Sequence, residues 1–157
     1  MKGPLLTIFA LAALMASAQT DDTNHNMADR GNQGMGFAQS KTTHHFLLRK
    51  DGGAIQVTAQ SVDDKASVEH IRRHLEHVRA AFQSGDFSIP GFVHDQTPPG
   101  VAVMIKLKDQ ILYRYEEITQ GGRVIISSEN PEAVDAIQSF LRFQITEHRT
   151  GDAVEVK

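Results

Sequence analysis

The chain of 157 residues contains no cysteine and no tryptophan. Without cysteine it can form neither a disulfide nor a thiolate zinc site, so its stability must come from a hydrophobic core. No Gly-x-Ser-x-Gly motif is present to carry a serine nucleophile. An enzyme that works by covalent catalysis is therefore the weakest hypothesis for this sequence.

An excess of positive charge is also missing. The chain has 16 basic and 19 acidic side chains, which gives a net charge of −3 with histidine neutral. A nucleic-acid-binding domain needs a basic face, so the composition argues against a nucleic-acid partner.

Long hydrophobic runs are scarce. Residues 5–15 are apolar, but a membrane span needs about 20 such residues. With Lys2 before this run and Ala16-Ser17-Ala18 after it, residues 1–18 are typical of a secretory signal peptide, cleaved before Gln19. We therefore expect a periplasmic or secreted protein that no membrane holds after cleavage.

Residues 19–40 are polar and show no periodicity, which predicts a flexible tail. The tail contains His25, Met27 and Met35, and imidazole and thioether groups are ligands that suit copper. The segment can equally be a linker that carries incidental methionines. Residues 152–157 are expected to form a loose C-terminus.

Residues 41–151 predict a single α+β domain. Alternating apolar and polar residues, turn residues and helix caps divide it into recognisable elements. Strands are expected at 42–49, 54–60, 111–118 and 123–128, long helices at 64–84 and from Pro131 to Gly151, a short helix at 101–107, and irregular chain at 86–99.

The order strand, Gly-Gly, strand, helix occurs twice in this domain. Gly52-Gly53 matches Gly121-Gly122, and both pairs are expected to form the hairpin turns. In the helices, Ile71 and Leu75 match Ile137 and Leu141. Two ββα repeats predict a four-stranded antiparallel sheet with both long helices packed on one face.

The first long helix carries a row of histidines at spacing i, i+4, i+7. His70, His74 and His77 fall on one edge of the helix, beside its apolar stripe. In the second repeat the same positions are Ala136, Phe140 and Phe143. Because the fold tolerates apolar residues there, the histidines indicate a separate use, and two imidazoles one helical turn apart can chelate a metal ion. We expect binding to fade below about pH 6.5, since protonated imidazole cannot ligate.

Other segments offer further metal ligands. His44 and His45 are neighbours on the first strand, so only one of them can face the helices. His94 lies in the segment expected to be irregular, where Asp95 could orient its ring. Met104 lies on the short helix. Imidazole with thioether favours copper, and imidazole with carboxylate favours zinc.

Three hypotheses from different classes remain open. The first is an exported metal-binding protein, with copper favoured over zinc and His70, His74 and His77 as the central ligands. The second is a metal-free module that binds a protein partner or a second copy of itself. The third, ranked last, is an enzyme that uses His44 or His94 as a base.

Several short segments resemble a small bacterial family without an assigned function. They are Gly34-Met35-Gly36-Phe37, Thr42-Thr43-His44-His45-Phe46, His74-Leu75-x-His77, Pro98-Pro99-Gly100-Val101, and the stretch from Phe140-Leu141-Arg142-Phe143-Gln144-Ile145 through Thr150-Gly151-Asp152. The resemblance implies a single compact domain and no catalytic residue. Some members are labelled aspartate carbamoyltransferase, but the Ser-Thr-Arg-Thr-Arg loop of that enzyme is missing here and the chain is too short for its two domains.

Overall fold

The computed structural model describes residues 29–34 and 39–156, and the expected signal peptide lies outside this part. The elements are β1 (Thr42–Arg49), β2 (Gly52–Ala59), α1 (Lys65–Ser84), α2 (Ser88–His94), α3 (Val101–Lys106), β3 (Leu112–Ile118), β4 (Gly121–Ser127) and α4 (Pro131–His148). Two short 3-10 turns, Gln39–Lys41 and Lys108–Gln110, precede β1 and β3. The predicted α+β class is confirmed.

The sheet is antiparallel throughout, with strand order β1-β2-β4-β3. The inner strands β2 and β4 join the two hairpins, so the two ββα repeats share one continuous sheet. Helix α1 packs chiefly on β3 and β4, and α4 packs chiefly on β1 and β2. Each helix therefore covers chiefly the hairpin of the other repeat, so the two repeats share one core.

The long helices begin and end where local chemistry predicts. The Asp64 side chain caps α1 by accepting from the Ser67 backbone N–H, and Gly85 ends the helix in the left-handed conformation. Asn130 caps α4 with Pro131 in its first turn. The left-handed residue that ends α4 is Arg149, two positions before the expected Gly151.

The glycine pairs are strand residues and not the hairpin turns that we expected. The turns are residues 50–51 and 119–120, and each glycine pair opens an inner strand. A Cβ on Gly53 would collide with the Leu47 carbonyl and the Leu141 side chain, and a Cβ on Gly121 would collide with the Val57 carbonyl. Glycine is needed at both positions because a neighbouring strand, and at Gly53 also the Leu141 side chain of α4, comes closer than any side chain allows.

The hydrophobic core lies between the sheet and the two long helices. Its largest fully buried side chains are Phe140, Ile71, Leu75, Met104, Ile126, Ile137, Leu141, Val57 and Val124. Full burial of such a side chain stabilises the fold by roughly 1.5–3 kcal/mol before entropy costs. Among the described residues, no helix is both long and apolar enough to cross a bilayer.

The segment expected to be irregular contains α2. Pro90 does not interrupt this helix, because it lies in the first turn, where the backbone N–H groups have no acceptor within the helix. The tertiary structure stabilises this short helix because Pro90, Val93 and His94 are buried.

Both ends of the expected domain differ from the sequence prediction. Residues 29–34, expected within the flexible tail, are helical, and the Arg30 side chain donates to the Val93 carbonyl at 3.0 Å. Asp152, expected in a loose C-terminus, accepts from the Phe46 backbone N–H at 2.9 Å and from the Thr150 hydroxyl at 2.6 Å. Tertiary hydrogen bonds fix both segments, and periodicity within the sequence does not reveal such bonds.

Candidate functional site: a histidine-lined cavity

Four histidines line one cavity of about 80 Å³ between the sheet and the helices. Each comes from a different element: His44 from β1, His74 from α1, His94 from the end of α2 and His148 from the end of α4. Gly31, in the helical segment 29–34, also lines the cavity. Apart from the Gln144 amide, the remaining described lining side chains are apolar: Phe46, Ile55, Val57, Leu75, Val78, Phe82, Ile89, Pro90, Val93 and Phe140.

Strand periodicity determines which residue of the His44-His45 pair enters the cavity. Thr42 and Phe46 are buried beneath the helices, and His44 lies between them on the same face of β1. His45 faces the other way, and its Nδ1 lies 2.8 Å from the Asp152 carboxylate. The expectation that only one of the pair can join a site on the helix side agrees with this arrangement.

His148 is a lining residue that our sequence reasoning did not include. It is the last residue of α4 and follows Phe140 and Gln144 at successive four-residue steps, so all three share one stripe of the helix. All three line the cavity. The signal was present in the sequence as an apolar stripe that ends in two polar residues.

His94 is the most buried of the four histidines, with 7% of its surface exposed. Its Nε2 lies 2.9 Å from Oε1 of Gln144, which is itself only 4% exposed. The expected partner Asp95 instead ends α2 in the left-handed conformation and is exposed. Within the described residues, His94 Nδ1 and Gln144 Nε2 are buried without a hydrogen-bond partner.

Three of the four imidazole rings, those of His44, His94 and His148, lie close to one another. The ring centroids of His94 and His148 are 5.0 Å apart in an edge-to-face arrangement, and those of His44 and His148 are 6.1 Å apart and nearly parallel. The rings of Phe143 and His94 contact each other edge to face, with their centroids 4.9 Å apart.

Burial keeps these rings uncharged at neutral pH. Desolvation, together with the neighbouring His45, lowers the pKa of His44 to about 4, and desolvation with His44 and His77 lowers the pKa of His74 to about 4. The pKa of His148 falls to about 3 for the same reason, with His94 and His44 contributing. Burial also lowers the pKa of His94, although its bond to Gln144 opposes the shift.

The pseudo-symmetry of the fold relates three of the cavity histidines to three aromatic side chains that contain no nitrogen. His44 lies opposite Val57 and eight residues before Gly52, just as Tyr113 lies opposite Ile126 and eight residues before Gly121. In the aligned helices, His74 corresponds to Phe140, and His148 corresponds to Phe82. Three equivalent positions therefore carry His44, His74 and His148 on one side and Tyr113, Phe140 and Phe82 on the other.

The aromatic counterpart packs as an ordinary part of the core. The Phe82 ring contacts both Tyr113 and Phe140 edge to face, with centroids 6.3 Å and 5.8 Å away. At each of these three pairs of equivalent positions, one repeat thus has an imidazole and the other has an aromatic ring without nitrogen. The fold itself does not require imidazole at these positions.

The remaining candidate ligands lie elsewhere. Of the histidine row on α1, only His74 lines the cavity, and His70 and His77 are exposed on the helix surface. Met104 is fully buried in the hydrophobic core and is not part of the cavity lining. Of the tail residues, His25, Met27 and Met35 lie outside the described residues.

The distances between the imidazole rings can be compared with those expected for two ligands of one metal ion. Nitrogen–metal bonds of about 2.0–2.1 Å at a tetrahedral centre place the centroids of two ligating imidazoles roughly 5 Å apart, which is close to the observed 5.0 Å and 6.1 Å. In the part of the chain that the structure describes, however, no three histidine, aspartate or glutamate side chains already have their donor atoms placed to hold one ion. Binding at this cluster would therefore require some rings to rotate.

Comparison with protein-family models, with curated proteins and with solved structures finds no match to this chain.

Proposed function

We propose that this is an exported metal-binding protein, with copper favoured over zinc, and that the ligands are among the cavity histidines His44, His74, His94 and His148. The observation that carries the proposal is the convergence of four imidazoles from four separate elements on one apolar cavity. Imidazole nitrogen suits zinc and copper. The expected export rests on the sequence of residues 1–18.

The state of the rings supports this proposal. A histidine ligand must be unprotonated, and burial lowers the pKa of His44, His74 and His148 far enough that all three are neutral at pH 7. In the folded domain, protons would compete with a metal only at a lower pH than the value near 6.5 expected from the sequence. At neutral pH these rings do not have to release protons before they bind a metal, so deprotonation costs little binding free energy.

The polarity of the lining favours copper in its monovalent form. The described lining side chains are apolar or imidazole apart from one amide, so they bring no charge to offset that of a bound ion. The cost of burying an ion in such surroundings rises with the square of its charge. Cu(I) therefore costs less to bury than Cu(II) or Zn(II), and it accepts a few neutral nitrogen ligands.

Anaerobic titration of the untagged mature protein with Cu(I), in competition with a chromogenic chelator, tests the proposal. A double variant, His74→Phe with His148→Phe, copies the residues of the other repeat. It should bind Cu(I) about 100-fold more weakly, which corresponds to about 2.7 kcal/mol of binding free energy. The matched control is His70→Ala with His77→Ala, which removes two exposed histidines of the same helix and should leave the affinity unchanged.

The outcomes separate the hypotheses. If circular dichroism shows that both proteins are folded and their Cu(I) affinities are equal, the metal does not bind at the cavity histidines. If the control variant instead loses Cu(I) affinity, the ligands are the exposed histidines His70 and His77. Absence of Cu(I) and Zn(II) binding in the wild type would end the metal hypothesis in favour of a metal-free interaction module.

A further inference from the structure

The hydrogen bond between His94 and Gln144 fixes which ring nitrogen carries the proton. The amide oxygen Oε1 can only accept, so the 2.9 Å contact requires Nε2 of His94 to be the donor. Burial keeps the ring neutral, and a neutral imidazole has one N–H. Nδ1 is then the nitrogen with the free lone pair.

The surroundings of Nδ1 point to a use for that lone pair. The atom is fully buried and has no hydrogen-bond partner among the described residues. Leaving a buried acceptor unsatisfied costs about 1–3 kcal/mol, so such atoms are rare in native structures unless they have a role. His94 also lines the cavity, with the His148 ring 5.0 Å away.

We propose that Gln144 is a positioning residue, whose side-chain oxygen holds the proton of His94 on Nε2 and leaves Nδ1 as the nitrogen that binds the metal. Metal-binding histidines commonly have their second nitrogen held in this way by a carboxylate or a carbonyl, and loss of such a partner typically lowers metal affinity by 10–100-fold. The metal step rests on the proposed function, whereas the position of the proton does not.

Gln144 is well placed for this role by its helix. It lies one turn after Phe140 and one turn before His148 in α4, with its side chain buried beneath α2. Its own Nε2 is unpartnered within the described residues, so the oxygen contact to His94 is the only hydrogen bond of this side chain there. A glutamine used only to fill space at this position would be replaceable by leucine.

Long-range proton–nitrogen correlation spectra of metal-free, ¹⁵N-histidine-labelled mature protein test the proton position. The wild type should show His94 protonated on Nε2. Gln144→Leu, which has similar bulk and no acceptor, should lose this preference, and Gln144→Glu, which keeps an acceptor at the same place, should retain it. His94→Gln assigns the resonances.

Titration of the same samples with Cu(I), which is diamagnetic, completes the test. We expect the His94 Nδ1 resonance to shift on binding while Nε2 keeps its proton, the affinity of Gln144→Leu to fall by about 10–100-fold, and Gln144→Glu to remain near the wild type. A wild-type ring protonated on Nδ1 would overturn the inference, and so would unchanged affinity in Gln144→Leu. Both results are distinct from absence of binding in the wild type, which overturns the proposed function and the metal role of Nδ1 with it.

Discussion

Replacement of His148 by phenylalanine should make the fold less sensitive to acid. The pKa of His148 is about 3 in the folded protein, because burial disfavours its charged form, against about 6.5 in an unfolded chain. Between these two values the unfolded state binds more protons than the folded state. The contribution of His148 to the free energy of unfolding is therefore fully present above about pH 6.5. It is lost progressively as the pH falls towards 3.

The size of the effect follows from the same two pKa values. At pH 5 an unfolded histidine with a pKa near 6.5 has taken up its proton, which costs the folded state about 2 kcal/mol relative to neutral pH. His44 and His74, each with a folded pKa of about 4, lose a similar amount. Together the three histidines should cost about 6 kcal/mol at pH 5, which is a large part of the 5–15 kcal/mol typical of a domain.

Urea denaturation of metal-free protein, followed by circular dichroism at about pH 7.5 and about pH 5, measures this difference. The His148→Phe variant should lose about 2 kcal/mol less than the wild type between the two conditions. At the higher pH it should be about as stable as the wild type, because Phe82 occupies the equivalent position in the other repeat.

The control is His70→Ala, which removes an exposed histidine from α1 and should show the same loss as the wild type. If His148→Phe loses as much stability as the wild type at acid pH, then His148 is not kept neutral by burial, and the electrostatic argument for the cavity fails.

Two further predictions concern the framework that holds the cavity. Gly53→Ala should lower the free energy of unfolding by about 2–3 kcal/mol, since the added methyl group collides with Leu141. The control variant Gly91→Ala should have a stability close to that of the wild type, because its new methyl group meets nothing nearer than 3.9 Å. Thermal melts of both variants test this difference. Asp152→Ala should cost about 1–3 kcal/mol and speed amide exchange at Phe46, whose backbone N–H loses its acceptor, and unchanged exchange at Phe46 would show that the C-terminus does not secure β1.

Local patterns in the sequence predicted the framework well. Alternation in the strands, caps expected at Asp63 or Asp64 and at Asn130, and the repeated order of elements led to the four-stranded antiparallel sheet with its helices. The structure confirms this class. These features depend on interactions between residues close in sequence, and such interactions leave a period of two or of 3.6 residues in the chain.

The same patterns failed where long-range contacts dominate. The glycine pairs were expected in turns because glycine favours turns. What requires glycine there is the close approach of neighbouring strands, together with the helix side chains Leu141 at Gly53 and Leu75 at Gly122. Helix α2 was missed because burial beneath the rest of the domain stabilises it, and not a local sequence pattern.

The sequence by itself determined which histidines are available to the candidate site and restricted the face of the strand or helix on which each can lie. Strand periodicity allows only one of His44 and His45 to face the helices, and helix periodicity puts His148 on the stripe of Phe140. Only the tertiary structure decided which of these residues meet, because each lies on a different element. The packing of each helix on the opposite hairpin brings His44, His74, His94 and His148 around one cavity and leaves His70 and His77 in solvent.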